Sequence, residues 1–197
     1  MKIKTLTGVV ALALATLAPA VQAEDQPWLL RVRAVNLDSA NKDSTGLDLN
    51  VNDKVIPEFD VSYFFTPNLA AELVLTYPQK HTVRSGDTRI GSLKHLPPTL
   101  LLQYHFDATA GFKPYLGAGI NYTRFSSIDL PAGVSIDKNS VGLALQAGVD
   151  YALSKNLYLN LDLKKVQIRT DVSAAGDKLG RLKVDPLLLG IGIGMRF

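Results

Sequence analysis

Few side chains in this chain of 197 residues suit acid–base, nucleophilic or metal chemistry. There are three histidines, His81, His95 and His105, and no cysteine, so a disulfide framework and a Cys-based zinc site are both excluded. A Ser/His/acid set for lipid hydrolysis needs nucleophile and base within hydrogen-bond reach. His81 falls in a long polar segment, His95 at the start of a strand and His105 low on the inner face of one, while Ser62 is the clear serine on an inward strand position. No such set is evident. His81 and His95 flank one loop, where two imidazoles are ordinarily solvated rather than metal-bound. Gly117 and Gly119 lie inside a strand with no helix after them, which is not a phosphate loop. The reading is therefore no catalytic residue, no metal and no cofactor.

The charged residues carry the remaining chemistry, and where they point depends on the strands that hold them. At the end of the chain, residues 187–197, apolar Leu187, Leu189, Ile191, Ile193, Met195 and Phe197 alternate with Leu188, Gly190, Gly192, Gly194 and Arg196. A period of two is a strand, and about 10 residues with one greasy face ending on an aromatic suits a stave of a transmembrane β-barrel. Seven more segments read alike. Trp28, Leu30, Val32 and Ala34 oppose Arg31 and Arg33. Phe59, Val61, Tyr63 and Phe65 oppose Glu58, Asp60, Ser62 and Phe64. Residues 69–77 place Glu72, Val74 and Thr76 inward, and Thr99, Leu101, Gln103 and His105 do the same in the fourth strand. Residues 114–122, 141–151 and 157–163 complete the set.

Short turns at 66–68, 107–112 and 152–155 alternate with long polar connections at 37–57, 79–94, 126–139 and 170–182. Short periplasmic turns with long extracellular loops are the outer-membrane pattern, and Tyr63, Tyr77, Tyr104, Phe106, Tyr122 and Tyr151 fit interfacial girdles. A soluble sandwich has no reason to sort its loops this way. No stretch after Ala23 approaches the ~18 consecutive apolar residues of a spanning helix, although 47% of the chain is hydrophobic, so a membrane form must be a closed barrel.

Lys2 and Lys4, an uncharged run from Leu6 to Leu17, and the small-residue site at Val21-Gln22-Ala23 predict a secretory signal peptide over 1–23 and one barrel domain over 24–197. Its removal lowers the formal charge from +3 to +1, which gives nucleic acid no support.

Several blocks together resemble the OmpW family of Gram-negative outer-membrane proteins, which includes alkane-uptake proteins. They are Tyr63-Phe64-Phe65-Thr66-Pro67-Asn68-Leu69-Ala70-Ala71-Glu72, Leu96-Pro97-Pro98-Thr99, Tyr104-His105-Phe106, Pro114-Tyr115-Leu116-Gly117-Ala118-Gly119-Ile120-Asn121-Tyr122, Gly148-Val149-Asp150-Tyr151, Val184-Asp185-Pro186 and Arg196-Phe197. The resemblance implies a monomeric eight-stranded barrel that passes small hydrophobic molecules across the outer membrane and releases them sideways into the bilayer. It also implies that the terminal aromatic strand is read by the outer-membrane assembly machinery.

With the N-terminus periplasmic, each inward residue acquires a height. Arg31, Glu72, Gln103, His105, Asp150, Tyr158, Asn160 and Asp162 fall low and are expected to pair into a plug, because unpaired ions in a narrow lumen are costly. Val35, Val74, Thr76, Leu101, Val166 and Ile168 fall higher and line a vestibule, with Asp60 and Lys164 as charged exceptions there. A plug beneath an apolar vestibule leaves a solute an exit between strands. The rival reading is a closed structural or receptor barrel whose loops bind phage, a host surface or lipopolysaccharide.

Overall fold

In the computed structural model the described residues are 26–197, so the expected signal peptide lies outside them. Fifteen strands follow one another: β1 (Trp28–Asp38), β2 (Lys42–Asp43), β3 (Leu49–Val51), β4 (Lys54–Phe64), β5 (Leu69–Thr76), β6 (Gln79–Ser85), β7 (Thr88–Leu96), β8 (Thr99–His105), β9 (Phe112–Asp129), β10 (Val134–Ile136), β11 (Asn139–Ala152), β12 (Leu157–Val166), β13 (Arg169–Ala174), β14 (Asp177–Lys183) and β15 (Leu187–Arg196). Eight of them, in the order β1-β4-β5-β8-β9-β11-β12-β15, pair antiparallel and return to β1, closing a barrel. The first and last staves join at Trp28 and Phe197, each donating its amide to the other's carbonyl at 3.1 and 2.9 Å.

Strict alternation sets the two faces. On β1 every second residue from Leu29 to Leu37 is buried, while Trp28, Leu30 and Val32 are exposed. The outward residues of the other staves are large and apolar: Leu143, Leu145, Ile191 and Ile193 are each more than half exposed. Such a continuous apolar exterior around a polar interior is stable only in lipid. Trp28, Tyr63 and Phe65 pack edge to edge near the short turns, as do Tyr104 and Phe106.

The long connections differ from the irregular polar loops expected of them. Stave β9 runs on to Asp129, beyond the expected end at Tyr122, and its upper half pairs with β7 of the β6–β7 hairpin, while β3 adds to β6. A second sheet, β10-β13-β14-β2, stands beside them. These segments alternate too, but with shorter apolar sets diluted by lysine, arginine and aspartate. Their inward members, Leu49, Val51, Val83, Leu93, Val172 and Leu182, join Val74, Leu101, Val166 and Ile168 from the barrel in one buried apolar cluster. The extracellular end is thus a β-walled extension of the lumen with an apolar interior.

Candidate functional site

The lumen is divided by an ionic layer whose two arginines sit one above the other on β1. They fit because the facing stave, β15, presents Gly190, Gly192 and Gly194. A Cβ at Gly194 would lie 3.0 Å from the Arg31 stem, and one at Gly190 would lie 3.3 Å from that of Arg33. Arg31 Nη2 and Nε donate to Asp150 at 2.6 and 3.2 Å, and its Nη1 reaches Asp60 at 3.2 Å and Ser62 Oγ at 3.1 Å. Arg33 donates through Nε to Asn160 at 2.6 Å and through Nη1 to Glu58 at 2.9 Å. Its Nη1 also lies 2.7 Å from Asp60 Oδ2, and its Nη2 donates to Glu72 at 3.2 Å.

Neutral donors fill the remaining acceptor positions. Gln146 Nε2 bridges Glu72 and Asp162 at 2.8 and 2.7 Å, the Tyr115 hydroxyl donates to Asp162 at 2.7 Å, and Gln103 Nε2 donates to Gln146 at 2.8 Å. All the charged members are buried. Buried ions that are this thoroughly partnered do not open to water on their own, because breaking one contact strands a charge. On the short-turn side Leu29, Phe64 and Ala70 pack with Tyr158 as an apolar base.

The structure places the expected low residues Arg31, Glu72, Gln103, Asp150, Asn160 and Asp162 in this layer, with His105 hydrogen-bonded to Gln103 at 3.0 Å. It also includes Arg33, Glu58, Asp60, Tyr115 and Gln146, all inward by the same alternation but not grouped with the plug by sequence. Lys164 belongs with them: its Nζ donates to Glu58 and Asp162, both at 2.6 Å, so it forms the roof of the ionic layer and the floor of the cavity above it. Ser62 Oγ accepts from Arg31, not from an imidazole.

Above the layer Val74, Leu101, Val166 and Ile168 lie in the large apolar cluster, and Val35 packs with Leu37 and Ile56 in a smaller one. A cavity of about 20 Å³, room for one water-sized group, is bounded by Glu58 and Lys164 below and by Val74, Thr76, His95 and Ile168 around it. Further out a cavity of about 200 Å³ is walled by Leu49, Val83, Leu93, Val134, Val172 and Leu182. Between these spaces stand His81 and His95. Instead of being solvated on a loop flank, both are buried, with rings stacked 4.5 Å apart, and His81 Nδ1 contacts Asn52 O at 3.1 Å. The cause is the β6–β7 register, which turns both inward, His95 against Phe125. Burial, then the neighbouring His81 and Lys54, pushes His95 down to about 3; burial also lowers His81.

The wall beside the small cavity is broken. Pairing of β5 with β8 ends at Val74 opposite Thr99, and the pairing that follows, β6 with β7, begins where Gln79 meets His95. In between lie Pro78, Pro97 and Pro98, which have no amide hydrogen to give a ladder.

Comparison with known proteins agrees with this architecture. The model of the OmpW family matches residues 30–197. The chain is 44% identical over 190 residues to an uncharacterized outer-membrane protein, y4mB, of Sinorhizobium fredii, covering 90% of this chain and 82% of that one. It is 31% identical to outer membrane protein W of Vibrio cholerae, covering 98% and 99%. It is 27% identical to the dibenzothiophene metabolism operon protein PahQ of Pseudomonas aeruginosa, covering 92% and 93%. The crystal structure of the outer membrane protein OprG from Pseudomonas aeruginosa superposes with a TM-score of 0.73 at 27% identity, over 90% of this chain and 99% of that one.

Proposed function

Because this chain belongs to the OmpW family of Gram-negative outer-membrane barrels, we propose that it is a passive entry route for small hydrophobic molecules. The observation that carries the reading is an apolar interior, open in volume at the extracellular end, that stops on a fully paired ionic layer beside a break in the wall. Burying apolar surface is worth roughly 25 cal/mol per Å², so the outer cavity concentrates a greasy solute without polar recognition. An apolar molecule that moves down meets charges it cannot solvate and leaves sideways, between β5 and β8, into the bilayer. The name of the relative PahQ, from a dibenzothiophene metabolism operon, fits a solute of this class.

The test is uptake of a matched pair of apolar and polar solutes by cells with and without the protein. Leu101→Glu places a charge in the apolar cluster above the ionic layer and is expected to slow apolar uptake several-fold while the protein still assembles. Equal uptake of apolar solute with and without the protein would reject the route in favour of a closed barrel that acts through its extracellular strands.

A further inference from the structure

The outer surface of the extension carries a group of cations that the transport reading does not use. Lys80 on β6 is directly opposite Lys94 on β7, and Arg124 on β9 is opposite Leu96, hence diagonal to Lys94. Their chain neighbours His81, His95 and Phe125 point inward, so all three cations point outward. Like charges directly opposite one another on a sheet are unfavourable. Three other cations of the extension are neutralised, Arg169 by Asp185, and Lys178 and Arg181 by Asp171; what sets Lys80, Lys94 and Arg124 apart is that they adjoin one another on neighbouring strands. Among the described residues the side chains of Lys80, Lys94 and Arg124 have no hydrogen bond and no ion pair.

Beneath this stripe, toward the membrane, the outward residues become apolar at once: Leu96, Tyr122, and the cross-strand pair Leu100 and Ile120. We propose that Lys80, Lys94 and Arg124 form a docking site for lipopolysaccharide, holding the phosphates of its lipid portion while the acyl chains lie along the Leu100–Ile120 wall. A soluble polyanion would satisfy the cations alone. A phosphorylated lipid of the outer leaflet satisfies the charges and the adjoining apolar face together, and clustered lysine and arginine at a membrane boundary attract such head groups. Lys80 and Lys94 lie two residues from Pro78 and Leu96, so the docked lipid also borders the break in the wall. The proposal does not rest on transport.

The test is native mass spectrometry of the detergent-solubilised protein titrated with bis-phosphorylated lipid A, dephosphorylated lipid A and phosphatidylglycerol. At about fivefold per cation, the protein is expected to prefer bis-phosphorylated over dephosphorylated lipid A by at least ~10-fold, and the combined Lys80→Gln, Lys94→Gln, Arg124→Gln variant to lose that preference. A control variant with the same charge change elsewhere, Lys42→Gln, Arg89→Gln, Lys155→Gln, is expected to keep it. Equal binding of the dephosphorylated lipid, equal binding of phosphatidylglycerol, or equal loss in the control overturns the proposal. Should the triple variant fail the heat-modifiability check for a folded barrel, Lys94→Gln alone is expected to lose about fivefold, and no change there is equally fatal.

Discussion

Arg31 and Asp150 meet bidentately across the lumen, Nη2 to Oδ2 at 2.6 Å and Nε to Oδ1 at 3.2 Å, tying β1 to a stave three places round the barrel. Planar two-point pairing of this kind is the strongest form of the contact. Arg31→Ala leaves Asp150 and Asp60 buried with a partner lost, which costs about 3–5 kcal/mol. The expected outcome is a lower unfolding temperature in detergent together with new ion conductance in planar bilayers. A variant as stable and as tight as the wild type would show that the layer is not the barrier.

Lys164 makes a related prediction with a different signature. Lys164→Leu removes the cation shared by Glu58 and Asp162, so the protein is expected to lose stability, while adding Glu58→Gln to it restores part of the loss. Strictly additive losses in that double-mutant cycle would mean that the two side chains are not coupled.

The wall break predicts an effect on route rather than on stability. Pro97→Ala and Pro98→Ala together restore backbone donors at the start of β8 and lift the proline constraint on the segment opposite the end of β5, allowing the β5–β8 ladder to lengthen. Apolar uptake is expected to fall several-fold with the barrel intact, as read by uptake assays alongside heat-modifiable migration. Unchanged uptake would move the exit elsewhere.

The stacked histidines predict a pH response in the extension. Folded His95 titrates at about 3 against 6.5 for its ordinary value, so between those limits the opened hairpin binds more protons than the closed one. Stability of β6–β7 therefore falls as pH drops from near 6.5 toward 3, and His81 adds in the same direction. Amide hydrogen exchange over 79–96, corrected for intrinsic rates, is expected to quicken at pH 4.5 relative to pH 7, and His95→Phe to flatten that dependence.

The staves and their faces were legible because lipid demands an unbroken apolar exterior, which leaves a period-two imprint along 28–34, 58–65, 141–151 and 187–197. The membership of the ionic layer was only half legible. Glu58 and Lys164 are inward by alternation, but their meeting depends on strand tilt, which brings residues of different staves to one height. The extension was least legible. Leu49, Val83, Val172 and Leu182 each sit among charged residues, and their shared core arises from pairings such as Asp43 with Leu182, between strands distant in sequence. The inward turn of His81 likewise depends on a register that no local pattern fixes.

The glycines of the last stave have an electrical consequence. At Gly192 a Cβ would lie 2.0 Å from Val32 O, so that strand pair is held closer than any other residue permits, and the arginine stems occupy the side-chain space which Gly190 and Gly194 leave free. Each arginine stem therefore lies against the glycine face while its guanidinium is bonded to carboxylates, so that turning it away would strand a buried charge. Current through such a layer cannot flicker with side-chain motion; it requires a stave to shift. Single-channel records of the wild type are expected to stay flat under voltage, and brief openings are expected only where a substitution frees an arginine or fills the glycine face.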